Sequence, residues 1–190
     1  MKLNKLIAIA TISLLSGGIS MAQKALNLED IVAGNIIQTK GIGSMTWLKD
    51  GERYSRLENN KQTGGTDIVA YRAKDNSREV IIPSSLLTDK STGRPIPVRS
   101  VSWSADNEKV LIYNNTRRVW RYDTRGDYWV LNLKDGALRQ LGKGMPESSM
   151  MFAKFSPDGT RVAYVSNNNI YVEDIDSGKI TQLTKDGSDT

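Results

Sequence analysis

The 190-residue sequence contains no histidine and no cysteine, and these absences exclude several kinds of chemistry. A Ser-His-Asp triad, a Cys-His pair and an ordinary zinc site each need one of these residues. Disulfide bonds and lipid attachment at a cysteine are excluded for the same reason. The neighbouring carboxylates Glu173 and Asp174 fall on opposite faces of a strand, so they do not converge on a substrate. We therefore expect no catalytic residue, no metal site and no cofactor within this chain.

The sequence has no apolar run at its start that is long enough to span a bilayer comfortably. Residues 6–15 are apolar, Lys2 and Lys5 precede them, and small residues at 20–22 precede Gln23. This arrangement predicts a signal peptide at residues 1–22, with a retained membrane anchor as the alternative. We therefore expect an exported protein, located in the periplasm, outside the cell or at the cell surface.

The sequence has only a slight excess of positive charge, which is spread over the chain rather than arranged as a basic stripe. Removing residues 1–22 lowers the formal net charge from +5 to +3, with 24 basic and 21 acidic residues remaining. Nucleic-acid binding requires a basic patch with interleaved aromatic residues on one face. We therefore expect no nucleic-acid partner.

The sequence after residue 22 also lacks the sustained apolar spacing of three and four residues that is typical of helices. It contains instead short runs rich in Val, Tyr, Ile and Thr, separated by Pro, Asp, Asn and Gly. Between residues 152 and 184, four such runs predict a small antiparallel sheet with turns at 156–159, 167–169 and 176–178.

The same pattern occurs twice upstream, with Trp47, Trp103 and Phe155 at matching positions 56 and 52 residues apart. Repeats of about 40 to 50 residues with four strands are typical of propeller blades, which stack because one such sheet cannot bury both faces. The sequence predicts an all-β fold, a partial β-propeller of about three four-stranded antiparallel blades. We place the lead-in segment at residues 23–43 and the blades at 44–99, 100–147 and 148–190.

The second copy is longer than the third. Its first-strand and third-strand aromatic residues are 26 residues apart, against 16 in the third copy, and the extra residues at 117–125 include four arginines. Such a hairpin would present Arg121, between Trp120 and Tyr122, toward a ligand, because a guanidinium is a planar donor suited to carbonyls and carboxylates. The alternative is a solvent-exposed loop whose arginines pair with nearby acids.

Four segments carry a resemblance to a known family. They are NTRRVWRY at 115–122, YWVL at 128–131, LEDI at 28–31 and FSPDG at 155–159. Together they resemble the dipeptidyl peptidase IV branch of the prolyl oligopeptidase family, over essentially all of the sequence after residue 22. The Trp-Arg hairpin is the most specific part of the resemblance, since many propellers share the Ser-Pro-Asp-Gly turn.

This resemblance implies an eight-bladed propeller and a C-terminal α/β-hydrolase domain in a serine exopeptidase that removes N-terminal Xaa-Pro or Xaa-Ala dipeptides. Arg121 matches the arginine that contacts the substrate's backbone carbonyl, with Trp120 and Tyr122 as support. The family's glutamate pair for the substrate's N-terminal ammonium and its Gly-x-Ser-x-Gly elbow do not occur in residues 1–190. We therefore expect the peptide's N-terminus and the hydrolase domain as partners, and the family also forms homodimers through other regions.

Two other interpretations remain open. The chain could be a non-catalytic periplasmic β-propeller that acts as a binding scaffold, or an inactive truncated product. On either peptidase or scaffold interpretation, residues 1–190 alone are not expected to be an active enzyme. Three blades would also leave apolar sheet faces uncovered, so we expect the isolated segment to associate or to be poorly soluble.

Overall fold

The computed structural model describes residues 27, 28, 32, 41 and 43–188. The predicted signal peptide at 1–22 lies outside the described residues, as does most of the lead-in segment. Of that segment, Leu28 and Val32 are helical and exposed.

Residues 43–188 form three four-stranded antiparallel sheets and one two-stranded hairpin, so the all-β prediction is confirmed. The first sheet contains β1 (Met45–Trp47), β2 (Arg53–Asn59), β3 (Thr66–Arg72) and β4 (Arg78–Ile82). The small hairpin contains β5 (Thr88–Asp89) and β6 (Arg94–Pro95). The second sheet contains β7 (Ser100–Trp103), β8 (Lys109–Val119), β9 (Tyr122–Asn132) and β10 (Leu138–Gln140). The third contains β11 (Met151–Phe155), β12 (Arg161–Ser166), β13 (Asn169–Asp174) and β14 (Ile180–Gln182).

The three aromatic residues used to align the repeats occupy equivalent positions. Trp47, Trp103 and Phe155 each end the first strand of their sheet. Each also pairs with the residue seven positions later, in the second strand. The repeat derived from the sequence is therefore a repeat of strand order and of register.

The turns of the third sheet have the backbone geometry that their residues predict. Gly159 and Gly178 have φ values of +67° and +71°, which glycine adopts without steric cost. Asn167 and Asn168 have φ values of +48° and +59° between β12 and β13. Two successive positive φ values define a type I′ turn, whose twist matches that of the flanking strands.

The sheets pack on each other in sequence order because neighbouring side chains in a strand point to opposite faces. In β8, Ile112 belongs to the core shared with Ile68 of the first sheet, whereas Leu111 belongs to the core shared with Tyr164 of the third sheet. The second sheet is therefore buried on both faces. This is the side-by-side packing that the predicted blades require.

The connection between the first and second sheets has structure that the sequence analysis did not predict. A 3₁₀ turn, Ser84–Leu87, leads into the β5–β6 hairpin. The Leu87 side chain is 1% exposed and belongs to the core between the first two sheets. Within the connection, the Ile96 amide donates a hydrogen bond of 2.8 Å to the Leu87 carbonyl. The connection therefore contributes to the core as well as joining two sheets.

Candidate functional site

The extra residues of the second repeat lengthen its central hairpin. β8 and β9 have 11 residues each, whereas β12 and β13 have six each. We call the extended part, residues 114–127, the arm. Its strands remain paired up to Val119 and Tyr122, so the arm is a continuous β-hairpin rather than a loose loop.

Trp120 and Arg121 form the turn at the tip of the arm. Trp120 is 93% exposed and has a φ of +62°, a conformation that is costly for a bulky residue. The carbonyl oxygen of Arg121 accepts a hydrogen bond of 3.4 Å from Nη2 of Arg118, which closes the turn from one side. Tyr122, the other aromatic residue of the tip, is 74% exposed.

Arg121 is exposed at this tip. Within the part of the chain that the structure describes, its guanidinium has no hydrogen bond or ion pair, and neither Trp120 nor Tyr122 stacks on it. The acid nearest along the arm, Asp123, pairs with Arg99 of the preceding segment, at 3.0 Å between Oδ2 and Nε. The guanidinium of Arg121 is therefore available to a ligand. Its contact with substrate stays a prediction.

The base of the arm is held against the segment that precedes the third sheet. The Gly126 amide donates to the Met150 carbonyl at 3.0 Å, and the Met150 amide donates to the Gly126 carbonyl at 3.1 Å. A Cβ atom at position 126 would lie 2.6 Å from the Asn114 carbonyl and also inside contact distance of the Tyr113 ring. Glycine is therefore required here by the close approach of the neighbouring strand.

A polar network fixes the same base. The Asp127 carboxylate is 6% exposed and accepts hydrogen bonds from the Ser148 amide (2.8 Å) and from Asn115 Nδ2 (2.7 Å). Asn115 Nδ2 also donates to Glu147 Oε1 at 2.7 Å, and the Ser148 hydroxyl donates to the Asn115 carbonyl at 2.6 Å. Asn115 has a φ of +43° beside an irregularity in the β8–β9 register, which is typical of a bulge. The bulge places the side-chain amide of Asn115 within hydrogen-bond distance of the Asp127 carboxylate.

Tyr113 supports the arm from the opposite face. Its hydroxyl donates a hydrogen bond of 3.1 Å to the Asp123 carbonyl, and its ring stacks on Tyr128 at 4.8 Å between centroids. Burial, together with the neighbouring Tyr128, raises the pKa of Tyr113 to about 12. The phenol is therefore neutral near pH 7 and remains a hydrogen-bond donor.

Glu173 and Asp174 diverge as the strand alternation predicts. Glu173 is 2% exposed and faces the second sheet, whereas Asp174 accepts hydrogen bonds from Ser177 in the turn that follows. The partner of Glu173, Arg139 of β10, was not predicted. No local signal identifies it, because 34 residues separate the two in the sequence.

Two absences hold for the described residues. Residues 43–188, with 27, 28, 32 and 41, include no helix whose length and apolar character would carry it through a lipid bilayer. The same residues include no group of three or more histidine, cysteine, aspartate or glutamate side chains placed to hold a metal ion.

Comparison with known proteins finds similarity to dipeptidyl peptidases. A family model described as the dipeptidyl peptidase IV (DPP IV) N-terminal region matches residues 104–190. "Probable dipeptidyl-aminopeptidase B" of Aspergillus terreus is 26% identical over 181 residues, which are 90% of this chain and 20% of that protein. The protein of the same name from Chaetomium globosum is 32% identical over 87 residues, which are 46% of this chain and 9% of that protein.

A solved structure gives the fold. The crystal structure of Porphyromonas gingivalis dipeptidyl peptidase 4 superimposes with a TM-score of 0.65 and 22% sequence identity, covering 87% of this chain and 22% of that one. The chain thus spans about a fifth or less of the length of these relatives.

Proposed function

Because residues 104–190 match the family model of the dipeptidyl peptidase IV N-terminal region, we propose that this chain is the first part of the propeller of a serine dipeptidyl peptidase. The whole enzyme releases N-terminal Xaa-Pro or Xaa-Ala dipeptides. Its nucleophile lies on a C-terminal α/β-hydrolase domain outside residues 1–190. Residues 1–190 supply the fold of the first blades and one contact that orients the substrate.

In this proposal the three stacked sheets are the first three of eight blades. Each sheet needs a neighbour on both faces, because a four-stranded sheet with two apolar faces cannot bury both alone. The second sheet has two such neighbours among the described residues. Further blades would cover the third sheet and close the ring.

The observation that carries the proposal is the position of Arg121. It lies at the exposed tip of an arm that is longer than the corresponding hairpin of the third sheet, and hydrogen bonds hold the base of that arm. In this proposal, the guanidinium at the end of the anchored arm donates to the backbone carbonyl of a bound peptide. Fixing the peptide relative to the nucleophile lowers the activation free energy of cleavage, because the entropy of orienting the peptide is already lost on binding.

The proposed location is the periplasm, the cell surface or the extracellular space. The support is the pattern of residues 1–22, with two lysines, an apolar run and small residues before Gln23. The absence of cysteine fits any of these compartments, since no disulfide is needed.

The kinetic test is Arg121→Ala in the protein that contains the hydrolase domain. We expect kcat/KM for an Xaa-Pro chromogenic substrate to fall about 10- to 100-fold, the effect of losing one charged hydrogen bond. Arg117→Ala is the matched control, because Arg117 is an exposed arginine of the same arm that pairs across the hairpin with Arg125 rather than lying at its tip. An unchanged kcat/KM for Arg121→Ala, with native circular dichroism, would remove Arg121 from the site.

The coding sequence beyond Thr190 is a second test. A paired glutamate motif followed later by Gly-x-Ser-x-Gly, Asp and His is expected if the protein is a peptidase. Further blades without a Gly-x-Ser-x-Gly elbow would contradict the peptidase and leave a propeller that only binds.

A further inference from the structure

A cavity of about 810 Å³ lies at the base of the arm, on the side that faces the β5–β6 hairpin. Asn114 and Asp127, which are direct partners in the β8–β9 register, lie in its wall. Glu147 and Trp129 also line it. Residues 117–123, which include the tip of the arm, do not line it, so the cavity is separate from the position of Arg121.

The strand pattern explains why polar groups face this cavity. Ile112 and Trp129 belong to the core between the first two sheets. Because side chains two positions apart share a face, Asn114 and Asp127 continue that face beyond the core. The core face of the hairpin thus ends in an amide and a carboxylate rather than in further apolar side chains.

The wall of the cavity has more hydrogen-bond acceptors than the chain satisfies. Asn114 is 8% exposed, and its Oδ1 has no hydrogen-bond partner. Asp127 is 6% exposed, and no Lys or Arg among the described residues pairs with it. Buried carbonyl oxygens normally accept a hydrogen bond, so Asn114 Oδ1 lacks a donor. Each carboxylate oxygen of Asp127 accepts one hydrogen bond, but buried charges are normally paired, so Asp127 lacks a cation.

The other charged groups of the cavity do not supply this donor. Arg99 pairs with Asp123, and Arg94 forms no ion pair with an acid among the described residues. Glu147 adds a second carboxylate beside Asp127, because Asn115 Nδ2 bridges the two acids at 2.7 Å each. Asp89 is engaged by Ser91 and Thr92 within its own turn. The acceptors beside Asn114 therefore lack a cation.

We propose that this cavity binds a primary ammonium group, held by Asn114 Oδ1 and by the carboxylates of Asp127 and Glu147. A primary ammonium has three N–H donors and a positive charge, which match three acceptors of which two are anionic. The indole of Trp129 suits the alkyl chain and the charge of an organic cation. A metal ion fits less well, because the described residues include no group of three or more acids placed to bind one.

The site does not depend on the proposed peptidase activity. Val119 lies five residue steps beyond Asn114 in β8, which is roughly 16 Å along the arm. A ligand at the base therefore does not occupy the tip, and failure of one proposal leaves the other standing.

The test is a calorimetric titration of the protein with n-butylammonium chloride, with sodium chloride at the same ionic strength as the reference. We expect saturable binding, and a shift of the Asn114 side-chain amide resonance. Glu147→Gln and Asp127→Asn should each weaken binding about tenfold, the effect of removing one charged acceptor. The matched control is Asp75→Asn, because Asp75 is an exposed turn carboxylate of the first sheet. This variant should change the dissociation constant by less than about twofold.

Two further titrations identify the source of the ammonium. N-acetyl-lysine methylamide presents a side-chain ammonium, and glycine methylamide presents an α-ammonium. The compound that binds more tightly identifies which of these two ammonium groups the cavity recognises. Binding that is absent, or unchanged in both Glu147→Gln and Asp127→Asn, overturns the proposal. Displacement of n-butylammonium by calcium at lower concentration overturns it in favour of a metal site. If Asp127→Asn does not fold, Glu147→Gln decides, because that side chain is exposed.

Discussion

Arg139 and Glu173 form an ion pair between the second and third sheets, with 3.4 Å between Nη2 and Oε1. The Glu173 side chain is 2% exposed, and its carboxylate also accepts hydrogen bonds from the Gly142 amide (2.8 Å) and the Tyr164 hydroxyl (3.2 Å). Burial, followed by the charge of Glu173, raises the pKa of Tyr164. A buried carboxylate is tolerated here because three donors from two sheets surround it.

Replacing Arg139 with Met should lower the free energy of unfolding by about 3 kcal/mol, because it leaves the Glu173 charge buried without a cation. Urea unfolding of the chain measures this. The control is Arg72→Met, which removes an exposed ion pair with Glu52 and should cost about 0 to 1 kcal/mol. Equal losses in the two variants would mean that the buried pair contributes no more than a surface pair.

Trp103→Phe tests the contact between the first two sheets. The indole Nε1 of Trp103 donates a hydrogen bond of 3.1 Å to the hydroxyl of Ser55, which is a buried residue. We expect a loss of about 1 to 2 kcal/mol in the free energy of unfolding, from the hydrogen bond and from lost packing. Trp120→Phe should change stability by less than about 0.5 kcal/mol, because Trp120 is 93% exposed. A larger effect for Trp120→Phe would contradict its exposure.

Acid should destabilise the chain through an aspartate that occurs at the same place in each sheet. The pKa values of Asp50, Asp106 and Asp158 are each lowered from 3.8 to about 2. The largest cause is a side-chain hydrogen bond, from Arg53 to Asp50, from Ser104 to Asp106 and from Ser156 to Asp158.

Because the folded-state pKa values are lower than the unfolded ones, this stabilisation is complete above the unfolded value and is lost as the pH falls toward 2. Urea midpoints measured between about pH 6 and pH 2.5 should therefore decrease. Asp158→Asn should reduce the decrease. Carboxyl resonances that titrate at 3.8 in the folded chain would contradict the shift.

Alkali should destabilise the chain through Tyr113, whose pKa rises from 10.0 to about 12 on folding. The folded state holds the phenolic proton more tightly, so the stabilisation is complete below the unfolded value and is lost as the pH rises through the folded one. Tyr113→Phe should cost about 1 kcal/mol near pH 7, from the hydrogen bond to Asp123, and should make the alkaline loss smaller. A Tyr113→Phe variant whose urea midpoint falls as steeply as that of the parent chain would exclude Tyr113 as a cause.

The strands and their repeat could be predicted because they depend on neighbouring residues. Alternation of β-branched and polar residues identifies a strand, and Asp-Gly or Asn-Asn steps identify the turn beside it. The extension of the second hairpin also followed from counting residues between Trp103 and Trp129. The β5–β6 hairpin was missed because its strands have two residues each, too few for a pattern.

The candidate site could be predicted only in part. The Trp-Arg-Tyr sequence indicated Arg121, and the structure adds that its guanidinium is exposed at the end of an anchored arm. The base cavity could not be predicted, because Asn114 and Asp127 become neighbours only through the register of the hairpin.

The sequence by itself determined the all-β class, the three repeats and the long hairpin, since short-range steric and hydrophobic preferences decide strands and turns. The tertiary structure alone decided which polar groups are buried together, as with Arg139 and Glu173 across two sheets or Asp127 and Ser148 at the base of the arm. The reason is that burial and pairing depend on residues far apart in the chain, which only packing brings within hydrogen-bond distance.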